Sequence, residues 1–260
     1  MSVAEVNGQH ISYQDSGGDG PPILFSHGLL MDGSMFDAQV AGLSGQFRCI
    51  TWDERAHGAT EAAESFSYWD STDDALALLD HLGIERAVFA GMSQGGFVAM
   101  RAALVAPERV RGLVLIDTQA GLEDPDTLPL YQAMHDEWMA NGPANVQEAV
   151  ASIIFGAGID LAPWYDKWAA QDRTQFSLAF AALVERDELV DRLSEIAIPA
   201  LIVHGSVDAA IPLWRAEQLQ DGIAGPTELV VVEGAGHASN MANPDLVNQA
   251  IASFVSDLPT

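Results

Sequence analysis

The alternation of apolar and polar positions divides the chain into short extended runs and longer helical ones. Residues 3–6 and 11–14 read as strands joined by Asn7-Gly8, a pair suited to the positive φ angles of a type I′ hairpin turn. A turn-rich loop, Gly17-Gly18-Asp19-Gly20-Pro21-Pro22, precedes the unbroken apolar run Ile23-Leu24-Phe25-Ser26, as expected of a strand covered on both faces of a parallel sheet. A helix over 34–43 and a strand over 49–52 follow. Ala75, Leu76, Leu78, Leu79 and Leu82 form the apolar stripe of a helix over 70–82, with Asp70, Ser71 or Thr72 as N-cap and Gly83 just past its end. Next come a strand over 87–91, a helix over 94–105 stopped before Pro107, and a strand over 112–117. The same rhythm returns with a strand over 200–204, a helix over 213–221, a strand over 228–232 and a helix over 245–255.

Strand–helix alternation of this kind predicts an α/β fold, a mostly parallel eight-stranded sheet flanked by helices. The rhythm breaks between about 121 and 186. Helical patterns there cover 130–139, 146–155, 164–170 and 175–184, and no strand pattern appears. The expected organisation is therefore a core domain of residues 1–120 and 187–260, with 121–186 inserted as a helical cap.

Composition narrows the function classes. The 260 residues suffice for one large domain with an insertion. The formal net charge is −26, and Lys167 is the sole lysine. Nucleic acid and anionic membranes are unfavourable partners for such a surface, because both require positive charge to displace counterions. No apolar stretch approaches the roughly 18–20 residues of a membrane span, and Met1-Ser2-Val3-Ala4-Glu5 has neither the basic nor the apolar region of a secretory signal. A cytoplasmic location is expected. The single cysteine, Cys49, offers no internal disulfide and no metal-ligand pair, and its place in a strand pattern makes it a buried residue.

Candidate chemistry concentrates at strand ends. Gly91-Met92-Ser93-Gln94-Gly95 has the form G-x-S-x-G, a weak signal alone but a strong one between a predicted strand and a predicted helix. The turn there is sharp enough to demand small flanking residues, and it would lift the Ser93 hydroxyl above the sheet with a helix N-terminus beside it. A serine hydroxyl needs a base. His237, in the glycine-rich Glu233-Gly234-Ala235-Gly236-His237 after the last strand, can reach back over the strand ends. His10, His81, His135 and His204 fit less well, and His57 suits a structural hydrogen bond. An imidazole base needs a carboxylate to hold its tautomer. Asp208, after the strand at 200–204, is preferred over Asp117, which ends the strand before it. Two backbone N–H groups must stabilise the oxyanion: Gln94, following the nucleophile, and Leu29, in Ser26-His27-Gly28-Leu29-Leu30. His27 reads as structural.

Ser26-His27-Gly28, Asp53-x-Arg55-x-His57-Gly58, Gly91-Met92-Ser93-Gln94-Gly95-Gly96, Gly205-x-x-Asp208 and Gly236-His237 together resemble the α/β-hydrolase superfamily, in its chain order and over essentially the whole length. The chain looks most like its small esterase and lactonase branch, which includes enol-lactonases, carboxylesterases and cofactor-free perhydrolases. Ala56 and Ala59-Thr60 depart from the usual supporting turn. The resemblance implies two-step acyl transfer with Ser93 as nucleophile, His237 as base and Asp208 as orienting acid, and it calls for no metal or organic cofactor. Activity would fall as His237 gains a proton, at about pH 5–7. The cap carries Met134, Trp138, Met139, Phe155, Trp164, Trp168, Phe176 and Phe180. Leu30, Met92, Trp138, Trp164 and Trp214 are candidates for the substrate pocket, which predicts a small-molecule ester or lactone with an apolar or aromatic group. Carbon–carbon bond hydrolysis or perhydrolysis on the same residues is the alternative. A non-catalytic ligand receptor is the alternative of another class.

Overall fold

A computed structural model describes residues 1–156 and 158–259. Its elements in chain order are β1 (Ser2–Val6), β2 (Gln9–Asp15), β3 (Pro22–Ser26), α1 (Asp37–Leu43), β4 (Arg48–Trp52), α2 (Tyr68–His81), β5 (Ala87–Met92), α3 (Gln94–Val105) and β6 (Val110–Ile116). Four helices follow: α4 (Leu128–Asn141), α5 (Gln147–Ile154), α6 (Ala162–Ala170) and α7 (Arg173–Val184). The chain then returns through β7 (Ala200–Gly205), α8 (Trp214–Gly222), β8 (Thr227–Val232), α9 (Ser239–Ala242) and α10 (Pro244–Asp257). The strands form one eight-stranded sheet in the order β1-β2-β4-β3-β5-β6-β7-β8. Among the described residues only the β1–β2 and β2–β4 strand pairings are antiparallel.

Successive strand residues point to opposite faces, so a strand buried on both sides must be apolar throughout. Ile23 and Phe25 join the cluster under α1, α10 and the cap, while Leu24 joins the one under α2, α3 and α8. Val88 and Ala90 divide from Ala87 and Phe89 in the same way. Asn7 and Gly8 both take positive φ, 49° and 73°, as the hairpin requires.

Most element boundaries shift by one to three residues from those expected, and the helix expected over 34–43 is regular only from Asp37, after a 3-10 turn at Gly33–Phe36; two shifts have a clear physical reason. The helix expected over 70–82 begins at Tyr68, because Ser67 and Asp70 close a reciprocal capping box. Thr72 then lies inside the helix, its hydroxyl donating to the Tyr68 carbonyl. The strand expected over 112–117 runs from Val110 to Ile116, and Asp117 leaves it with φ 46°. Between β6 and β7 the chain leaves the sheet for α4–α7, which pack against the strand tips through Trp138, Phe155, Trp168 and Phe176. Among the described residues no helix is long and apolar enough to cross a membrane.

Candidate active site

At the end of β5 the backbone turns abruptly into α3. Ser93 takes φ 51° and ψ −114°, a conformation that a side chain bearing a Cβ resists. Three bonds hold it there. Ser93 N–H donates to the Ile116 carbonyl at 2.9 Å, and the Ser93 carbonyl accepts from Thr118 Oγ1 at 2.7 Å and from Gly96 N–H at 2.9 Å. The flanking glycines are required sterically: a Cβ at Gly91 would collide with the Gly95 carbonyl, and one at Gly95 with the Ser26 carbonyl. Thr118 carries no motif of its own, and its contribution is visible only once β6 lies beside β5.

His237 and Asp208 come from loops that β7 and β8 deliver to the same edge. Ser93 Oγ lies 3.0 Å from His237 Nε2, and His237 Nδ1 lies 2.8 Å from Asp208 Oδ2. The other Asp208 oxygen accepts from Ala210 N–H at 2.8 Å and Ile211 N–H at 2.9 Å. Asp208 is thereby fixed as an acceptor on both sides. Burial alone would raise its pKa, but the His237 charge and hydrogen bonds from His237 and Ile211 hold it below the ordinary carboxylate value. For His237, burial pulls the pKa down, and the Asp208 charge, the Asp208 hydrogen bond and Asp117 more than reverse it, so the net direction is up from 6.5.

Asp117 does not contact the imidazole through a hydrogen bond. One of its oxygens accepts from Gly205 N–H and the other from Ser239 N–H, both at 2.8 Å. It therefore ties together the loops bearing Asp208 and His237. Burial, reinforced by the Asp208 charge, lifts its pKa to about 7. Among the described residues Asp117, His204 and Asp208 offer three ligand atoms within 4.8 Å of one another. Both Asp117 oxygens, both Asp208 oxygens and His204 Nε2, which donates to the Ile211 carbonyl, are already engaged.

The β3 register sets Ser26 opposite Gly91, so the loop after β3 runs beside the β5–α3 turn. His27 Nδ1–H donates to the Gly28 carbonyl at 2.8 Å and Nε2 accepts from Glu54 N–H at 2.9 Å. Burial pushes its pKa down to about 4, so it is a neutral strut. His57 is another, held at the Arg55 carbonyl and pushed by burial to about 3. Leu30 has φ 64°, and its carbonyl accepts from Trp168 Nε1 at 2.8 Å, which fastens cap to loop. Among the described residues neither Leu29 N–H nor Gln94 N–H has a hydrogen-bond partner, leaving both free beside Ser93. The Gln94 side chain turns away, accepting from Tyr68 Oη and donating to Glu54.

A cavity of about 110 Å³ opens on Ser93 and His237 between cap and sheet. Leu29, Leu30, Met92 and Trp138 line it, together with Met134, Ile154, Phe176 and Phe180. Trp164 and Trp214 do not. Trp164 is buried within the cap against Phe155, with the Lys167 ammonium 4.4 Å from its ring centroid. Trp214 is 46 % exposed on α8 and covered by Arg215. The chain after β7 crosses the strand tips at Ala210 and Ile211, which do line the cavity, and α8 then descends along the sheet. Tyr131, Met134, His135 and Trp138 form one cavity-facing stripe of α4 at helical spacing. Tyr131 and His135 are the members of that stripe the sequence reading missed.

A family model described as the α/β-hydrolase fold matches residues 21–244. The chain belongs to the α/β-hydrolase family. It is 30 % identical to 3-oxoadipate enol-lactonase 1 of Acinetobacter baylyi, over 99 % of this chain and 97 % of the relative. Among solved structures, the enol-lactonase of Burkholderia xenovorans superposes with a TM-score of 0.90 at 29 % identity, covering 98 % of this chain and 100 % of that one. A thermophilic esterase of Thermogutta terrifontis superposes at 0.88 and 26 % identity, covering 100 % and 98 %. These similarities set the chain in the enol-lactonase and esterase branch.

Proposed function

We propose that this protein is a serine hydrolase that cleaves a carboxylic ester or lactone through an acyl-enzyme formed on Ser93. The observation that carries the reading is the unbroken line Ser93 Oγ–His237 Nε2 and His237 Nδ1–Asp208 Oδ2, at 3.0 and 2.8 Å, opening on an apolar cavity. The enol-lactonase and esterase names of its relatives support the bond type.

His237 in its neutral Nδ1–H form holds a lone pair toward the Ser93 hydroxyl. As Ser93 Oγ attacks the carbonyl carbon, His237 Nε2 takes the hydroxyl proton, and Asp208 offsets the charge that forms on the ring. The carbonyl oxygen becomes an oxyanion, which Leu29 N–H and Gln94 N–H receive at the head of α3. The tetrahedral adduct collapses, the C–O bond to the alcohol breaks, and His237 returns the proton to the departing oxygen. Water then repeats the sequence on the acyl-enzyme, releasing the acid and restoring Ser93. For a lactone the departing oxygen stays tethered to the acyl chain, and the product is one hydroxy or oxo acid.

Cavity size and lining set the substrate class. About 110 Å³ is somewhat less than the roughly 150 Å³ that accommodates a benzene ring in an apolar cavity, so a short chain or small ring fits. Among the described residues no lysine or arginine lines it, and Arg186 nearby is paired with Glu123. An uncharged, largely apolar group is favoured over a dicarboxylate. Replacement of Ser93 by alanine tests the mechanism: hydrolysis of a short p-nitrophenyl ester falls by about 10⁴-fold or more with an unchanged circular-dichroism spectrum. Retention of substantial turnover would contradict it.

A further inference from the structure

The carboxyl group of Glu54 takes no part in the line from Ser93 to Asp208, yet it is buried beside it. The residue is 1 % exposed, in the turn over 53–58 that follows β4. Burying a carboxyl group is costly, and the turn is held without this one. Asp53 accepts from Gly33 N–H and Ala59 N–H, both at 2.9 Å, and Arg55 pairs with Asp74. Among the described residues the Glu54 side chain makes one hydrogen bond, accepting on Oε2 from Gln94 Nε2 at 3.3 Å, and its Oε1 has no partner. The other end of the Gln94 amide accepts from Tyr68 Oη at 3.2 Å. The buried acid therefore serves Gln94, whose N–H is one of the two oxyanion donors.

The main chain of the same residue reaches the other donor. Glu54 N–H donates to His27 Nε2 at 2.9 Å, and His27 Nδ1–H donates to the Gly28 carbonyl at 2.8 Å. That carbonyl belongs to the peptide unit whose N–H is that of Leu29, and the two groups point in opposite directions. Each donor's direction is thus fixed through the carbonyl of its own peptide, by His27 and Met31 for Leu29 and by Thr118 and Gly96 for Gln94. Their separation is not fixed in this way, because Leu29 follows β3 and Gln94 follows β5. Glu54 bonds to both segments.

We propose that Glu54 is a positioning residue for the oxyanion hole, tying Gln94 to the loop that carries Leu29 and setting the separation of the two N–H groups. The inference rests on the serine hydrolase reading and deepens it. An oxyanion needs both donors at about 2.7–3.1 Å at once. Slack between the two segments therefore weakens the transition state more than the bound substrate. Burial, reinforced by the Asp74 charge, pushes the Glu54 pKa well above the ordinary carboxylate value, which favours the neutral acid. A neutral acid accepts from the Gln94 amide as a glutamine would, and it sets no charge against the oxyanion.

Glu54→Leu and Gln94→Leu each cut the tie at one end while keeping a buried side chain of similar size. In each, kcat for p-nitrophenyl butyrate falls about tenfold while KM changes by less than about twofold. n-Butyl trifluoromethyl ketone, which forms an oxyanionic hemiketal on Ser93, binds about tenfold more weakly, in step with kcat/KM. The double variant loses no more than either single one. Glu54→Gln, which keeps an acceptor and adds no charge, stays within about twofold of wild type. If Glu54→Leu fails to fold, Gln94→Leu and Glu54→Gln carry the same test. A lowered urea midpoint with kcat and ketone affinity intact, losses that multiply in the double variant, or a Glu54→Gln as impaired as the leucine variants would overturn the proposal. With Ser93→Ala inactive, any of these results removes the tie alone. Turnover surviving in Ser93→Ala would remove the serine mechanism and the tie with it.

Discussion

Replacing Asp208 by asparagine changes one atom and, in this site, reverses a tautomer. Asp208 Oδ1 accepts from the N–H groups of Ala210 and Ile211 at 2.8 and 2.9 Å. An asparagine placed with its NH₂ toward those two donors would leave both unpaired, at about 1–3 kcal/mol each. Its carbonyl must therefore stay there, and its NH₂ faces His237 Nδ1, where the carboxylate oxygen was. The amide donates, so His237 Nδ1 must accept, and the ring proton moves to Nε2. The nitrogen facing Ser93 Oγ then has no lone pair for the serine proton. Loss of the base in this way costs roughly 10³–10⁴ in kcat, equivalent to about 4–5 kcal/mol at about 1.4 kcal/mol per decade. The variant also loses the charge that raises the His237 pKa. Activity requires the neutral ring, so the wild-type acid limb lies above 6.5 and the limb of the residual activity lies lower. The assay is kcat/KM for p-nitrophenyl butyrate from about pH 5 to 9, with ¹⁵N chemical shifts reporting the His237 tautomer. More than about a tenth of wild-type activity with the Nε2–H tautomer in place would show that the Nε2 lone pair is not the base.

Other perturbations follow from particular contacts. Gly95→Ala drives a methyl group into the Ser26 carbonyl, so a loss of at least about 3 kcal/mol in urea unfolding is expected; a stability within about 0.5 kcal/mol of wild type would mean the turn is looser than described. Trp168→Phe removes the bond to the Leu30 carbonyl; a cost of about 1 kcal/mol in stability and a several-fold fall in kcat, with KM less affected, would mark a displaced Leu29 N–H, whereas unchanged kcat would dissociate cap from loop. Asp117 has a folded pKa of about 7 against 3.8 for the free side chain. Between those values the folded state holds a proton that the unfolded chain has released, so this residue's contribution to stability is full below 3.8 and declines as pH rises toward 7. Asp117→Asn should remove that decline and also loosen Gly205 or Ser239; parallel stability–pH curves for variant and wild type would contradict it.

Much of the sheet and of the Ser93, Asp208, His237 constellation was legible because each relies on local sequence. An apolar run such as Ile23–Ser26 has few alternatives to a buried strand, and Gly91 and Gly95 flank Ser93 because the turn excludes a Cβ. What escaped depends on packing between distant segments. Asp117 and Asp208 both lie just past strand ends, and only the reach of the His237 loop separates a hydrogen-bonded partner from a loop tie. Trp214 is six residues past Asp208 yet faces solvent, since the crossing at Ala210 and Ile211 sends α8 down the sheet. Three adjacent polar residues at 70–72 obscured Ser67 as the true N-cap. The α4 stripe was present as spacing, but which helix face meets the cavity is set by how the cap docks, through contacts such as Trp168 to Leu30 and Lys167 to Asp32.

Whether Ser93 Oγ carries the acyl group is decided by mass spectrometry of protein treated with a fluorophosphonate. A single adduct on the peptide containing Ser93 is expected, with loss of ester hydrolysis in proportion to labelling and labelling slowed by orders of magnitude in Asp208→Asn. An adduct on another residue, or full hydrolytic activity in completely labelled protein, would contradict it.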